Sequence, residues 1–213
     1  MYHNLKNIVF DFGGVLLDID YNKTYNALSR LLGFDFAPSN LSSDTQKVLN
    51  EYEKGEITTP VFLDYIKSIS RGKTLMDQEI TDAWNAMLIG WNPAKFELLW
   101  SLRKNYKLYL LSNTNEMHLD WVYQDLKSKY GIEDFDIRFF DKTYYSHLIG
   151  CRKPDLEIYE FVKNSESFIP GDTLFVDDLE ANISAAKMVG WSTYHHDPNQ
   201  DLVKILQKTL KFI

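Results

Sequence analysis

The chain has 213 residues, a formal net charge of −7 and one cysteine. The length suits one core domain carrying an insertion, and 45% hydrophobic with 25% charged residues suits a globular protein with a sizeable core. The acid excess, without a basic run, argues against nucleic acid as a partner, and the single thiol, no leader pattern and no apolar stretch of spanning length make the cytoplasm the expected compartment, with no internal disulfide and no membrane partner expected.

The first apolar run, Leu5–Phe10, reads as a buried strand. It ends in Asp11-Phe12-Gly13-Gly14-Val15, which sets an acid and two glycines at the carboxyl end of that strand, where open α/β sheets place their ligands. From about Tyr21 to Met87 the pattern is helical throughout. Tyr25, Leu28 and Leu32 recur at helical spacing, with Gly33 as the stop. Asp44 is expected to cap a helix through Tyr52 that ends at Gly55. Thr59-Pro60 is expected to open another as N-cap and first helical residue, with Phe62, Tyr65, Ile66 and Ile69 on its apolar face. Asp77 is expected to cap a fourth, carrying Ile80, Trp84, Met87 and Leu88.

From Pro93 onward strands and helices alternate. Strands are expected at Lys107–Leu111, Arg138–Phe140, Thr173–Val176 and Thr193–His195. Helices are expected near Ala94–Lys104, Glu116–Lys129, Leu156–Asn164, Leu179–Val189 (stopped by Gly190) and Gln200–Leu210. Such alternation implies parallel strands with right-handed crossovers and helices on both faces. The helical stretch then reads as an insertion after the first strand, a small bundle over the carboxyl edge of the sheet.

Parallel strands bring Asp11, Ser112, the pair Asp177-Asp178 and the loop residue Lys153 to one edge. Their chemistry is coherent. Carboxylates hold a hard cation such as Mg²⁺. A serine hydroxyl, backbone N–H groups and a lysine bind phosphate oxygens. A carboxylate oxygen can attack phosphorus when cation and lysine offset the repulsion between anions.

The ordered set Phe10-Asp11-Phe12-Gly13-Gly14-Val15, Leu111-Ser112-Asn113-Thr114-Asn115, Arg152-Lys153-Pro154-Asp155 and Phe175-Val176-Asp177-Asp178 resembles the four motifs of the haloacid dehalogenase-like (HAD) hydrolases. Glu53-Lys54-Gly55-Glu56-Ile57 and Trp84-Asn85-Ala86-Met87-Leu88 resemble the helical cap of that superfamily. The Asp-x-Gly start, Leu17-Asp18-Ile19-Asp20 and Ser112-Asn113-Thr114-Asn115 are similar to the bacterial branch that contains an α-D-glucose-1-phosphatase. The resemblance implies an α/β, three-layer Rossmann-like core with a parallel sheet (residues 1–17 and 90–213) and an inserted all-helical cap (residues 18–89). It implies Asp11 as nucleophile and Mg²⁺ ligand, the Gly13 carbonyl as a second ligand, Asp178 as a direct ligand, and Asp177 as ligand or outer-shell partner. Ser112 and the Asn113 N–H would hold the phosphoryl group, Lys153 would neutralise charge, and Asn182 would orient the metal-site acids.

The function this implies is Mg²⁺-dependent hydrolysis of a small phosphorylated metabolite through an aspartyl-phosphate, by a monomer or weak homodimer. Most phosphatases of the superfamily carry a second Asp two residues after the nucleophile as acid and base. Here that position is Gly13, and positioned acid–base help is worth about 10²–10⁴ in rate. A sugar 1-phosphate, whose hemiacetal oxyanion leaves readily, is one answer; a surrogate from Asp18 or Asp20 is a second. A metal-independent haloacid dehalogenase is a third, disfavoured by Asp177-Asp178, and a weakened domain acting as a binding or regulatory module is a further alternative. His195-His196 is expected at the surface, His118 in a structural hydrogen bond, and Cys151 as an inert thiol. Tyr21, Tyr25, Tyr52, Phe62, Tyr65 and Trp84 are expected mostly in the bundle core, with one or two lining a pocket roof.

Overall fold

A computed structural model describes residues 4–210. The ends of the expected core segments, residues 1–3 and 211–213, lie outside the described residues. Strand β1 (Asn7–Phe10) is the centre of the fold. Its four residues are all buried, because both faces are covered: Ile8 and Phe10 point into one apolar cluster, Val9 into another. The chain then forms β2 (Leu17–Ile19), α1 (Tyr21–Leu32), α2 (Ser43–Glu53), α3 (Thr59–Ser68), α4 (Asp77–Asn85) and β3 (Leu88–Trp91). The alternating part follows as α5 (Pro93–Leu102), β4 (Lys107–Ser112), α6 (Glu116–Tyr130), α7 (Phe135–Phe139), β5 (Lys142–Tyr145), α8 (Ser146–Ile149), α9 (Leu156–Glu166), β6 (Thr173–Asp177), α10 (Glu180–Met188), β7 (Ser192–His195) and α11 (Leu202–Leu210).

Five strands form one parallel sheet in the order β5-β4-β1-β6-β7. Both neighbours of β1 come from far along the chain, so the ends of β4 and β6 flank Asp11. That is the point where strand order reverses and where open sheets bind ligands. Strands β2 and β3 pair antiparallel and bracket the helical stretch as a ribbon. The four helices α1 to α4 share their own apolar cluster, built on Leu28, Leu32, Phe36, Phe62 and Ile80, with Tyr52 stacked on Phe62 at 4.3 Å. Met117 of α6 joins that cluster, so the bundle packs directly on the edge of the sheet. Among the described residues no helix is long and apolar enough to cross a membrane.

Several local expectations are corrected. Arg138–Phe140 is not a strand. Residues Phe135–Phe139 form helix α7, because Phe135 and Phe139 stack on one face and Arg138 pairs with Asp134 one turn back. A short apolar run fits either period; the fifth strand is the next segment, Lys142–Tyr145. Helix α2 is capped by Ser42, whose hydroxyl accepts from the Thr45 N–H, with Asp44 inside its first turn. Helix α3 begins at Thr59 after N-cap Thr58, and α4 begins at Asp77, with the Glu79 carboxylate accepting from the Met76 N–H. The ribbon strands β2 and β3 carry too few residues to show a period in the sequence.

Candidate active site

Asp11 follows β1 directly, and its N–H donates to the Val176 carbonyl at 2.8 Å, which holds the turn against β6. Its Oδ1 accepts from the Phe12 N–H at 2.6 Å and pairs with Lys153 Nζ at 2.6 Å. The same ammonium pairs with Asp177 Oδ2 at 2.8 Å. Lys153 is buried, and its backbone is fixed by Asn113: the Lys153 N–H donates to Asn113 Oδ1 and Asn113 Nδ2 donates to the Lys153 carbonyl, both at 2.8 Å. This reciprocal pairing ties the β4 end to the Lys153 loop. The sequence reading assigned only the Asn113 N–H; the side-chain role was missed because it needs a partner 40 residues away.

Asp177 is wholly buried at the end of β6. Besides Lys153, it accepts from the Leu179 N–H at 2.8 Å and from Asn182 Nδ2 at 2.9 and 3.0 Å. Asn182, in the first turn of α10, therefore orients Asp177. Asp178 lies against the second glycine. A Cβ on Gly14 would stand 2.3 Å from Asp178 Oδ2, and Gly14 has φ +76°, so two independent constraints keep a side chain off this position. Gly13 is also crowded: a Cβ there would meet Ile19 Cδ1 at 2.9 Å. Ser112 is buried at the end of β4, with its hydroxyl on the Asn113 carbonyl at 3.4 Å.

Two carboxylates, Asp11 and Asp177, share the Lys153 ammonium, and a third, Asp178, stands beside them. Ligand atoms of Asp11, Asp177 and Asp178 lie within 4.8 Å of one another. Burial pushes the Asp11 carboxyl up to about 7; Lys153 opposes this, and Asp177 and Asp178 add to it. Asp178 is raised by burial and by Asp177. Burial works against the Lys153 charge, but Asp11 and Asp177 outweigh it and keep the ammonium protonated. The cluster carries a formal charge of −2 with every acid ionised, and neither Asp11 Oδ2 nor the Asp178 carboxylate accepts a side-chain hydrogen bond from the described residues. A divalent oxygen-seeking cation such as Mg²⁺ fits that donor set.

Above these groups is a cavity of about 680 Å³. Its floor includes Asp11, Gly13, Ser112, Asn113 and Lys153, and its walls come from the helices: Tyr21 and Tyr25 of α1, Asn50 and Glu53 of α2, and Trp84 of α4. Arg152 bridges floor and wall, with Nη2 2.9 Å from Glu53 Oε2 and Nη1 2.9 Å from Asn50 Oδ1. Asp18 and Asp20 do not reach in. Asp18 pairs with Lys95 Nζ at 2.7 Å, and Asp20 caps α1 by accepting from the Asn22 N–H. His118 is held by Asn85 at 2.7 Å and stacks on Trp84, the expected structural role. Cys151 is a free, buried thiol. His196 corrects the surface expectation: β7 turns His195 outward and buries His196.

A family model described as haloacid dehalogenase-like hydrolase matches residues 5–190. The chain belongs to this family of hydrolases. Among its relatives is a D-ribitol-5-phosphate phosphatase of Bacteroides thetaiotaomicron, 35% identical over 198 residues, which span 92% of this chain and 94% of the relative. Among solved structures, a HAD family enzyme of the same organism, in complex with magnesium and inorganic phosphate, superposes with a TM-score of 0.81 at 34% identity, covering 94% of this chain and 98% of that one. A HAD-like family hydrolase from Porphyromonas gingivalis superposes with a TM-score of 0.83 at 28% identity, covering 98% of each chain. The HAD core is thus the three-layer α/β sheet with Asp11 at its centre.

Proposed function

We propose that this HAD hydrolase is a magnesium-dependent phosphatase of a small phosphorylated metabolite, a sugar or polyol phosphate, and that its reaction passes through a phosphorylated Asp11. The observation that carries the reading is the Lys153 ammonium lying between Asp11 and Asp177, with Asp178 beside them. Asp11, Asp178 and the Gly13 carbonyl would hold magnesium, which would supply positive charge to offset that of the phosphoryl group. Asp177, with its hydrogen bonds from Lys153, Asn182 and the Leu179 N–H, holds the lysine in place.

The substrate's phosphoryl oxygens sit on Ser112, the Asn113 N–H and Lys153. A carboxylate oxygen of Asp11 attacks phosphorus, the bond from phosphorus to the ester oxygen breaks, and the alcohol leaves. Water then attacks the phosphorylated Asp11 and releases inorganic phosphate. The sheet (residues 1–17 and 90–213) provides this floor. The helical insertion (residues 18–89) acts as a cap whose seating excludes water. A third carboxylate beside the nucleophile has no use in halide displacement, which supports phosphate over a dehalogenase.

The relative's substrate bears on the leaving group. A sugar 1-phosphate releases a stabilised hemiacetal oxyanion, but a polyol 5-phosphate releases an ordinary alkoxide, which needs a proton. We favour the sugar and polyol phosphates as a class, with both ester types in the test. Release of phosphate is measured across a panel of phosphorylated metabolites with and without Mg²⁺, using Asp11→Asn as the blank. Turnover that requires both Mg²⁺ and Asp11 supports the reading. A flat panel, or turnover that survives EDTA, overturns it.

A further inference from the structure

The cavity must supply a proton to an alkoxide, and Gly13 has none to give. The lining groups that carry one are few. Lys153 is committed to two carboxylates. His118 is pushed down to about 3 by burial, so it is neutral at working pH and cannot serve as acid. Glu53 is paired with Arg152. The Thr24 hydroxyl donates to the Trp84 carbonyl at 2.7 Å. Among the remaining lining groups are two phenols, Tyr21 and Tyr25, and neither hydroxyl has a hydrogen-bond partner among the described residues.

Tyr21 lines the same cavity as the floor residues Asp11, Ser112 and Lys153. It is the first residue of α1, fixed by the Asp20 cap, and its ring stacks on Tyr25 at 6.3 Å. The residue is 44% exposed and lines the cavity. Burial raises its pKa, and the next contributions come from Asp11 and then Asp178, the two acids of the floor. Tyr25 is raised by burial and by Glu53, a wall residue. The ribbon explains the placement. Ile19 fills the space where a side chain on Gly13 would begin, and two residues later the same segment delivers Tyr21.

We propose that the Tyr21 phenol is the catalytic acid and base of this enzyme, in place of the second aspartate that Gly13 lacks. This rests on the phosphatase reading above. As the ester bond breaks, its electron pair stays on the leaving oxygen, which takes the Tyr21 proton and departs as the alcohol. The resulting phenolate takes a proton from the water that attacks the phosphorylated Asp11, which restores the phenol and the free carboxylate. One water is consumed and no other reactant is needed.

The test compares esters that need a proton with one that does not. With Mg²⁺, kcat/KM is measured for D-ribitol 5-phosphate and glycerol 3-phosphate, whose leaving groups are alkoxides, and for p-nitrophenyl phosphate, whose phenolate leaves unaided. Tyr21→Phe keeps the ring and its stack, and a Mg²⁺-induced rise in Tm shows that the variant is folded with its metal site intact. Expected is a loss of about 10²-fold on the alkyl esters and a much smaller loss on the aryl ester. Equal losses on all three, or none, overturn the assignment while leaving the phosphatase reading in place. A leaving-group-dependent loss in Glu53→Gln but not in Tyr21→Phe overturns it in favour of Glu53. Wild-type protein that hydrolyses none of the esters overturns the phosphatase reading and this inference with it.

Discussion

On the floor of the cavity, the buried Lys153 and Asp177 and the half-buried Asn113 amide are tied to protein partners at 2.6–3.0 Å. On the walls, the Tyr21 and Tyr25 hydroxyls have no hydrogen-bond partner among the described residues, and the surrounding lining is largely aromatic or aliphatic. A group held by several fixed partners cannot follow a changing ligand, so the floor suits a constant feature such as a phosphoryl group and its cation. A group with open valences recognises what varies. The difference separates a fixed floor from an adaptable wall: the sheet supplies the first, and the helices supply recognition and, through Tyr21, the proton.

That separation is broken most severely at Lys153. Replacement by Met leaves Asp11 and Asp177 buried without their shared cation. Expected are a loss of stability of about 3–5 kcal/mol, read from the denaturant midpoint, and activity below detection. A variant that is stable and active would show that the two acids do not need the ammonium.

The metal side of the floor is sharpened by pH. Asp11 is pushed up to about 7, so below that value a proton competes with Mg²⁺ for the carboxylate, and above it the site is open. The Mg²⁺-induced rise in Tm is expected to be larger at pH 8 than at pH 6, with affinity falling about tenfold per pH unit below about 7. An equal rise at both values would place the Asp11 pKa well below 6.

The smallest effect is expected on the wall. Tyr25→Phe removes a hydroxyl that no described protein group contacts, so stability should stay within about 0.5 kcal/mol. Where that hydroxyl meets the substrate, KM should rise by about 2–10-fold with kcat little changed. A fall in kcat instead would move Tyr25 from recognition into the chemistry.

The contrast also explains what could be read in advance. The floor is written in contiguous motifs at strand ends, and a parallel sheet obliges those ends to meet, so Asp11, Ser112, Lys153, Asp177 and Asp178 were legible as a group. The walls were not, because the faces that helices turn to a cavity depend on packing: Tyr52 and Phe62 went to the bundle interior, while Tyr21 and Tyr25 line the cavity. Among the elements, α7 was misread because five residues around Phe135 and Phe139 fit two periods, and the β2–β3 ribbon was missed because its strands are too brief. The Asn113–Lys153 pairing and the burial of His196 depend on contacts between distant segments, for which local pattern carries no sign.

Gly55 follows helix α2 with φ +69°, and a Cβ there would stand 2.0 Å from the His147 carbonyl oxygen. Backbone meets backbone at this point, with no flexible side chain to give way. A single added methyl would act as a doorstop, holding the roof ajar by roughly an atom's width. Under the proposed closure of the helices, the absence of one carbon atom sets how tightly the chamber shuts, and with a methyl there a phosphorylated aspartate beneath it would be left standing in the draught of bulk water.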